Sequence, residues 1–257
     1  MSPYPVTKDL PAAQHIRMVQ HIFSTVTGRY DFLTHLLSLY RDVFWRRFAV
    51  KKLRQRKTAR LLDVATGTAD LAIEQALRRP DCSVVGTDFV KEMMALGTGK
   101  LQHNNLLNRV HLVQADAMHL PFPSDVFDAA SIAFGIRNLP DRARALEEMQ
   151  RVVAPGGQVL VLEMTRPCHR LFSRLFFLYL RTVMPLAAAI FSPNPAAYRY
   201  LADSILTFPS PSDFLELMKA IGLSPVESYS LTFGIAHLFV GVKEAQGPRP
   251  TARAGKT

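Results

Sequence analysis

Apolar positions change their period along the chain, and each change marks a different kind of element. Over residues 13–26 and 32–39 apolar residues recur three and four apart, and Val43, Phe44, Phe48, Val50 and Leu53 continue that spacing, which predicts an N-terminal set of helices. Short β-type runs follow at regular intervals and end at polar residues: 60–65 (RLLDVA), 83–87 (SVVGT), 109–114 (RVHLVQ), 127–134 (FDAASIAF) and 158–164 (QVLVLEM). Helix-like stretches separate them. The clearest, 141–153, has Asp141 placed as a cap, a stripe of Leu146, Met149, Val152 and Val153, and a stop at Pro155-Gly156-Gly157. Strands alternating with helices predict parallel βαβ units with right-handed crossovers, and so a three-layer α/β sheet. Residues 211–221 predict one more helix, and 226–232 and 235–242, split by Phe233-Gly234, a closing hairpin.

At 257 residues, 48% apolar and 20% charged, the chain can bury a substantial core as a single domain, 1–257, without metal or disulfides. Its parts are a helical preface (1–58), an α/β core (59–165), an apolar helical insertion (166–210), a closing helix and hairpin (211–243) and a tail of disordered composition (244–257). Cys82 and Cys168 stand far apart and, His169 aside, neither has a Cys or His near it at a metal-ligand spacing, which excludes zinc ribbons and disulfide scaffolds and predicts free thiols in a reducing cytoplasm. Residues 1–15 hold no apolar run, so no secretory signal is expected.

The net charge of +10 is concentrated: residues 41–60 carry nine Lys and Arg against one acid, Asp42. Such a block meets anionic lipid, nucleic acid or water. Without a helix-turn-helix, RNP or zinc-finger pattern, lipid is favoured over nucleic acid, with a plain solvated helix face as the alternative. The most apolar stretch, 171–191, contains Arg174, Arg181 and Pro185, so a membrane span is not expected. It fits a segment on a membrane surface or a greasy pocket wall, and equally a pair of buried helices.

Ligands of a doubly wound sheet sit beyond the carboxyl ends of the strands. The first strand ends in Asp63-Val64-Ala65-Thr66-Gly67-Thr68-Ala69-Asp70, whose small residues let a turn approach a ligand closely. Ala65 and Asp70 stand where a nicotinamide fingerprint needs glycine, and no Gly-Lys-Ser/Thr follows for a P-loop. Asp88 closes the second strand, where a carboxylate can accept both hydroxyls of a ribose. Asp116-Ala117 closes the third, where an acid can take an adenine amine while Ala117 offers its amide. Singly, Asp88 reads equally as a helix cap and Asp116 as a turn residue. Together with the turn they describe S-adenosylmethionine.

The chain resembles the ubiquinone/menaquinone biosynthesis C-methyltransferase family from about Val19 to Lys243. The resemblance is carried by FSTVTGRYDFLTHLLSLYRDVFWRR at 23–47, LDVATGTADL at 62–71, DAMHLPFPSDVF at 116–127, FGIRN at 134–138, LEEMQRVVAPGG at 146–157, LVLEMTRP at 160–167 and YRYLADS at 198–204. It implies a Rossmann-like class I fold, a mostly parallel seven-stranded sheet with a C-terminal hairpin, and methyl transfer from S-adenosylmethionine, without metal, to a ring carbon of a polyprenylated quinol. The Gly-Thr-Ala-Asp turn tilts the substrate towards demethylmenaquinol; the alternatives are the ubiquinone-branch quinol and an inactive pathway scaffold.

Carried over by position, Asp63, Gly67, Thr68, Asp88, Asp116 and Ala117 fall on the cofactor side, Arg137 and Asn138 on the catalytic loop, and Tyr30, Asp31, Tyr198 and Tyr200 on the substrate side. Departures are Ala133 for a serine, Ala69 for a glycine, Thr34 for an asparagine and Tyr40 for a glycine. A phenol made anionic activates its ring, so Arg137 is expected to stabilise the phenolate and Asn138 to orient it, with a loop clamp as the alternative role. The base is left open between water, Asp31 and His35; His119 and His237 read as structural or surface residues. The expected partners are the quinol and the inner face of the cell membrane, with peripheral attachment and no nucleic acid. The sequence sets no oligomeric state, a homodimer being one option.

Overall fold

The five parallel strands form where the apolar runs place them: β1 (Arg60–Val64), β2 (Ser83–Asp88), β3 (Val110–Gln114), β4 (Phe127–Ala133) and β5 (Val153–Met164). The computed structural model describes residues 11–54, 58–167, 169–183, 186 and 194–245. With β6 (Leu223–Leu231) and β7 (Ala236–Lys243) the strands make one sheet in the order β3-β2-β1-β4-β5-β7-β6. β7 runs antiparallel between β5 and β6, and the other neighbours are parallel. The order reverses between β1 and β4, which opens a crevice at their carboxyl ends.

Nine helices surround the sheet among the described residues: α1 (Ala12–Val26), α2 (Tyr30–Ser38), α3 (Arg41–Lys52), α4 (Asp70–Arg78), α5 (Lys91–His103), α6 (Arg142–Val152), α7 (Arg170–Leu178), α8 (Pro195–Leu206) and α9 (Pro211–Ala220). A π turn, Tyr179–Val183, continues α7. Central strands read as unbroken apolar runs because both faces are covered. On one face Trp45, Ala49, Leu71 and Ala72 of α3 and α4 meet Leu61, Val84 and Leu160. On the other Leu146, Met149 and Phe214 of α6 and α9 meet Leu62, Ile132 and Phe239. A third apolar cluster, including Val19, Ile22, Leu33, Leu180, Tyr200 and Ile205, unites α1, α2 and α8 with the π turn. Phe89 and Met164, at the ends of β2 and β5, pack against it, so these helices cap the crevice.

Asp141 caps α6 as expected, accepting from the Arg144 amide at 2.9 Å. Pro155-Gly156-Gly157 does more than stop that helix. Gly156 adopts φ +75°, and a Cβ on Gly157 would lie 2.5 Å from Val153, so the segment passes through a register shift against β4 and β5 begins at Val153 rather than at 158. β6 likewise begins earlier, at Leu223, with its own shift before Val226.

The basic block of 41–60 is not one face. Arg46 is buried and bonded to Asp42 and Asp70, Arg47 meets Glu74 at 3.3 Å, Lys52 lies 3.8 Å above the Tyr229 ring, and Arg54 donates to the Gly156 carbonyl at 3.0 Å. α3 spans about 18 Å at 1.5 Å per residue. Its first turn borders the cap, and its last lies at the opposite end of the sheet.

No helix among the described residues is long and apolar enough to cross a membrane. Of the apolar stretch 171–191, residues 184, 185 and 187–191 lie outside the described residues, as do Cys168 and the part of the tail from 246 onward.

Candidate active site

The turn after β1 is held open by backbone strain and closed by side chains. Ala65, Gly67 and Ala69 all take left-handed φ values, +50°, +56° and +66°, which alanine adopts at a cost and which collect at functional turns. Asp63 lies beneath, 1% exposed, accepting from the Thr66 hydroxyl at 2.7 Å. It does not reach a cavity; it fixes the turn that does. Gly135, after β4, sits against the same turn: a Cβ there would lie 2.7 Å from that of Ala65.

Burial pushes the Asp63 carboxyl up to about 7, against the hydrogen bond from Thr66 and the charge of Arg46. An unfolded chain releases that proton near the ordinary value of 3.8. Between about pH 4 and pH 7 the folded state binds more protons, so stability falls as pH rises through this window. Asp63→Asn is expected to flatten the dependence of Tm on pH there; equal slopes in thermal melts of both proteins would contradict the burial account.

Asp88, at the end of β2, is 7% exposed. Its Oδ2 accepts from the Gly67 amide and its Oδ1 from the Val90 amide, both at 2.8 Å. Asp88 does not cap α5, whose N-cap is Val90 with no side-chain cap, but it orders the turn before that helix and ties the β1 turn to β2. Burial raises its pKa, opposed by those amides. A carboxylate offers about four lone-pair sites, so each oxygen keeps room for one more donor. Asp116 is more open: its Oδ1 accepts from the Met118 amide at 2.9 Å and its Oδ2 faces His119 at 3.2 Å. Among the described residues the amide of Ala117, itself buried, has no partner within the chain.

Three neighbouring voids with lining residues in common lie above these strand ends. The first is lined by Asp88, Phe89, Asp116, Ala117 and Met118. The second is lined by Ala65, Gly67, Asp88, Ala133 and Gly135. The third encloses about 860 Å³ including its open mouth, between Phe23, Tyr30, Trp45, Phe134, Tyr179 and Tyr200. Asn138 lines all three. A cleft edged by the carboxylates of Asp88 and Asp116 thus adjoins an apolar chamber, and the two share Asn138.

Arg137 lines the apolar chamber but is 4% exposed and paired with Glu163, which is fully buried at the end of β5. Glu163 also accepts from the Arg137 amide at 3.2 Å and from the Met164 amide at 2.8 Å. Among the described residues the guanidinium Nε has no hydrogen-bond partner. The clamp and the chamber-facing role therefore coexist in one residue. Asn138 is fixed from two sides: His15 of α1 donates to its carbonyl at 2.7 Å, and the Tyr200 hydroxyl reaches its side chain at 3.3 Å. Burial raises the pKa of Tyr30 and pushes Tyr200 up to about 12, so both phenols stay protonated.

The sequence profile of the ubiE/COQ5 methyltransferase family matches residues 11–243. The chain belongs to the ubiE/COQ5 methyltransferase family. It is 43% identical over 226 residues to the ubiquinone/menaquinone biosynthesis C-methyltransferase UbiE of Geotalea daltonii, covering 88% of this chain and 96% of that one. It is also 43% identical over 220 residues to the demethylmenaquinone methyltransferase of Thermus thermophilus, covering 86% and 99%. Among solved structures, an S-adenosylmethionine-dependent methyltransferase of Thermotoga maritima described as a possible histamine N-methyltransferase aligns with TM-score 0.61 at 19% identity, over 88% of this chain and 99% of that one. At that identity it shares the fold alone.

In this ubiE/COQ5 member the positions expected from sequence divide. Gly67, Asp88, Asp116, Ala117, Tyr30, Arg137, Asn138 and Tyr200 line the voids. Thr68 is 2% exposed and turns away, donating to Asp31 at 2.6 Å; Asp31 also binds Lys100 at 3.0 Å and lines none of these voids. Tyr198 falls on α8, its side chain outside the described residues. Tyr40, where the family carries glycine, holds φ +58° and stacks on His35 at 5.2 Å. Buried His237 bonds Thr165 at 2.7 Å, a structural contact. The sequence reading missed the roles of Glu163 and Asp42, although they sit inside the matched segments 160–167 and 23–47. No cluster of metal-binding side chains occurs among the described residues.

Proposed function

We propose that this chain transfers a methyl group from S-adenosylmethionine to a ring carbon of demethylmenaquinol, giving menaquinol. The observation that carries this reading is that three neighbouring voids share Asn138, with Asp88 and Asp116 lining one and Arg137 another. The spare lone pairs of Asp88 suit a ribose diol, and Asp116 with the Ala117 amide suits an adenine edge. Asp63 and Thr68 hold the turn rather than touch the ligand. S-adenosylmethionine supplies the electrophilic methyl. Arg137, its charge fixed by Glu163, stabilises the phenolate character that the ring gains as it attacks, and Asn138 orients the oxygen. The apolar walls exclude water, and alignment at roughly 3–3.5 Å does much of the rest. Relatives named as demethylmenaquinone methyltransferases, in Deinococcus radiodurans and Thermus thermophilus, support the menaquinone branch over the ubiquinone one. Cells deprived of this protein are expected to accumulate the quinone lacking one methyl, read by mass spectrometry of the lipid extract; an unchanged pool would overturn the proposal.

The elements that wall the chamber also carry exposed apolar side chains, which supports attachment to a membrane surface. Leu36 and Phe44 stand on α2 and α3 with Leu39 and Tyr40 between them, Leu171, Phe172, Leu175 and Leu178 on α7, and Phe233 at the hairpin. The Tyr179 hydroxyl ties α7's end to the Leu37 carbonyl at 2.6 Å, and Phe172 stacks on Phe233 at 4.7 Å. Lys51, Lys52 and Arg54 lie at the far end of α3. Each buried leucine contributes about 1.5–3 kcal/mol, so Leu175→Asp with Leu178→Asp is expected to lower vesicle co-sedimentation at least about tenfold. Charge reversal at 51, 52 and 54 is expected to do far less; the opposite ranking would move the lipid surface to the basic block.

A further inference from the structure

Methylation of a quinol ring releases one proton per turnover, and the apolar chamber must give it a way out. Among the described residues lining that chamber, Asp42 is the single carboxylate. Tyr30 and Tyr200 hold their protons, Asn138 is an amide, and Arg137 is a guanidinium paired with Glu163. Asp42 is 1% exposed yet borders the cavity beside Ser38. Its Oδ1 accepts from the Ser38 hydroxyl at 2.5 Å, and its Oδ2 accepts from Arg46 and from His35 Nδ1, the latter at 2.8 Å. Oδ1 therefore keeps a free lone pair. His35 is 24% exposed, so the pair joins the chamber to solvent.

We propose that Asp42 is the proton acceptor of the reaction, with His35 as the group through which the proton leaves. This rests on the quinol methyltransferase reading above. As the ring carbon forms its bond to the methyl, the carbon–sulfur bond breaks and its electron pair stays on sulfur. The phenol O–H proton passes to the Asp42 carboxylate, leaving the keto tautomer with hydrogen and methyl on one carbon. Enolisation moves that hydrogen to oxygen and restores the aromatic ring, so one proton in all departs.

The charged surroundings of Asp42 suit the task. Burial raises its pKa, but Arg46, the Ser38 hydroxyl and His35 together hold it below the usual carboxylate value, so it is ionised and ready. Asp70 of α4 touches it only through Arg46, at 3.5 Å. A weak base suffices, because a phenol whose ring is gaining a methyl cation becomes a strong acid. Asp31 and His35, the candidates read from the sequence, fail on position: neither lines the chamber.

Asp42→Asn is expected to lower kcat about 100-fold or more, with the affinity for S-adenosylmethionine unchanged in calorimetry. Asp42→Glu is expected to keep at least a tenth of the rate. Asp42→Ala, which leaves space at the wall, should be partly restored by added formate, a response that a structural role would not give. His35→Gln, which leaves the Asp42 and Arg46 pair in place, should lower kcat about tenfold and guards against a fold defect in the Asp42 variants. An Asp42→Asn rate within threefold of wild type, or an Asp42→Ala variant that formate does not restore, would overturn the proposal. A wild-type chain that methylates no quinol would instead remove the parent reading.

Discussion

Asp88→Ala is expected to weaken S-adenosylmethionine binding by about 2–4 kcal/mol, a fall in affinity of roughly 30- to 1000-fold. Two losses add. A carboxylate that accepts from a ribose diol is removed, and each such charge-assisted bond contributes about 1.5–3 kcal/mol before water partly replaces it. The amides of Gly67 and Val90, each bonded to Asp88 at 2.8 Å, are also released, so the β1 turn loses its tie to β2. Asp88→Asn separates the two: one amide oxygen still accepts from a backbone N–H, and the loss should be smaller. Calorimetric titration reads both, and an unchanged affinity in Asp88→Ala would contradict the cofactor assignment.

Arg137→Ala is expected to lower kcat by roughly 100-fold or more with cofactor affinity nearly intact, since its charge meets the oxygen only as the ring reacts. It is also expected to destabilise the chain by about 3–5 kcal/mol, because Glu163, fully buried, is left as an uncompensated charge. The double variant Arg137→Ala, Glu163→Gln removes that charge. It should recover much of the Tm while staying slow, and recovery of both together would reduce Arg137 to a clamp.

The sheet was legible because its central strands are buried on both faces and so read as unbroken apolar runs, as in β1 and β5. Asp88 and Asp116 were legible for a related reason: the residue that ends a parallel strand is the one that faces the crevice. Thr68 was not, because its hydroxyl turns to Asp31 on a helix 37 positions earlier in the chain, a contact no local pattern encodes. Asp42 was hidden more deeply. It stands as the lone acid in a block that reads as a solvated basic face, and it reaches the chamber because Leu39 and Tyr40 take left-handed φ values of +51° and +58° between α2 and α3. Neither residue type signals that conformation. Glu163 was hidden by its company, a polar residue at the end of an otherwise apolar strand whose partner, Arg137, comes from the neighbouring strand's loop. The insertion's exposed leucines, Leu175 and Leu178, show the reverse case: an apolar stretch was plain, but its outward face emerged only once α7 was packed beside α2.

The central claim is that one chamber holds both the methyl donor and a prenylated quinol. It is tested most directly by incubating the purified chain with demethylmenaquinol in vesicles and S-adenosylmethionine carrying an isotopically labelled methyl, then locating the label by mass spectrometry and NMR. Label on a ring carbon of menaquinol, with one S-adenosylhomocysteine formed per methyl, is the predicted result; label on oxygen, or cofactor turnover without a labelled quinol, would contradict it.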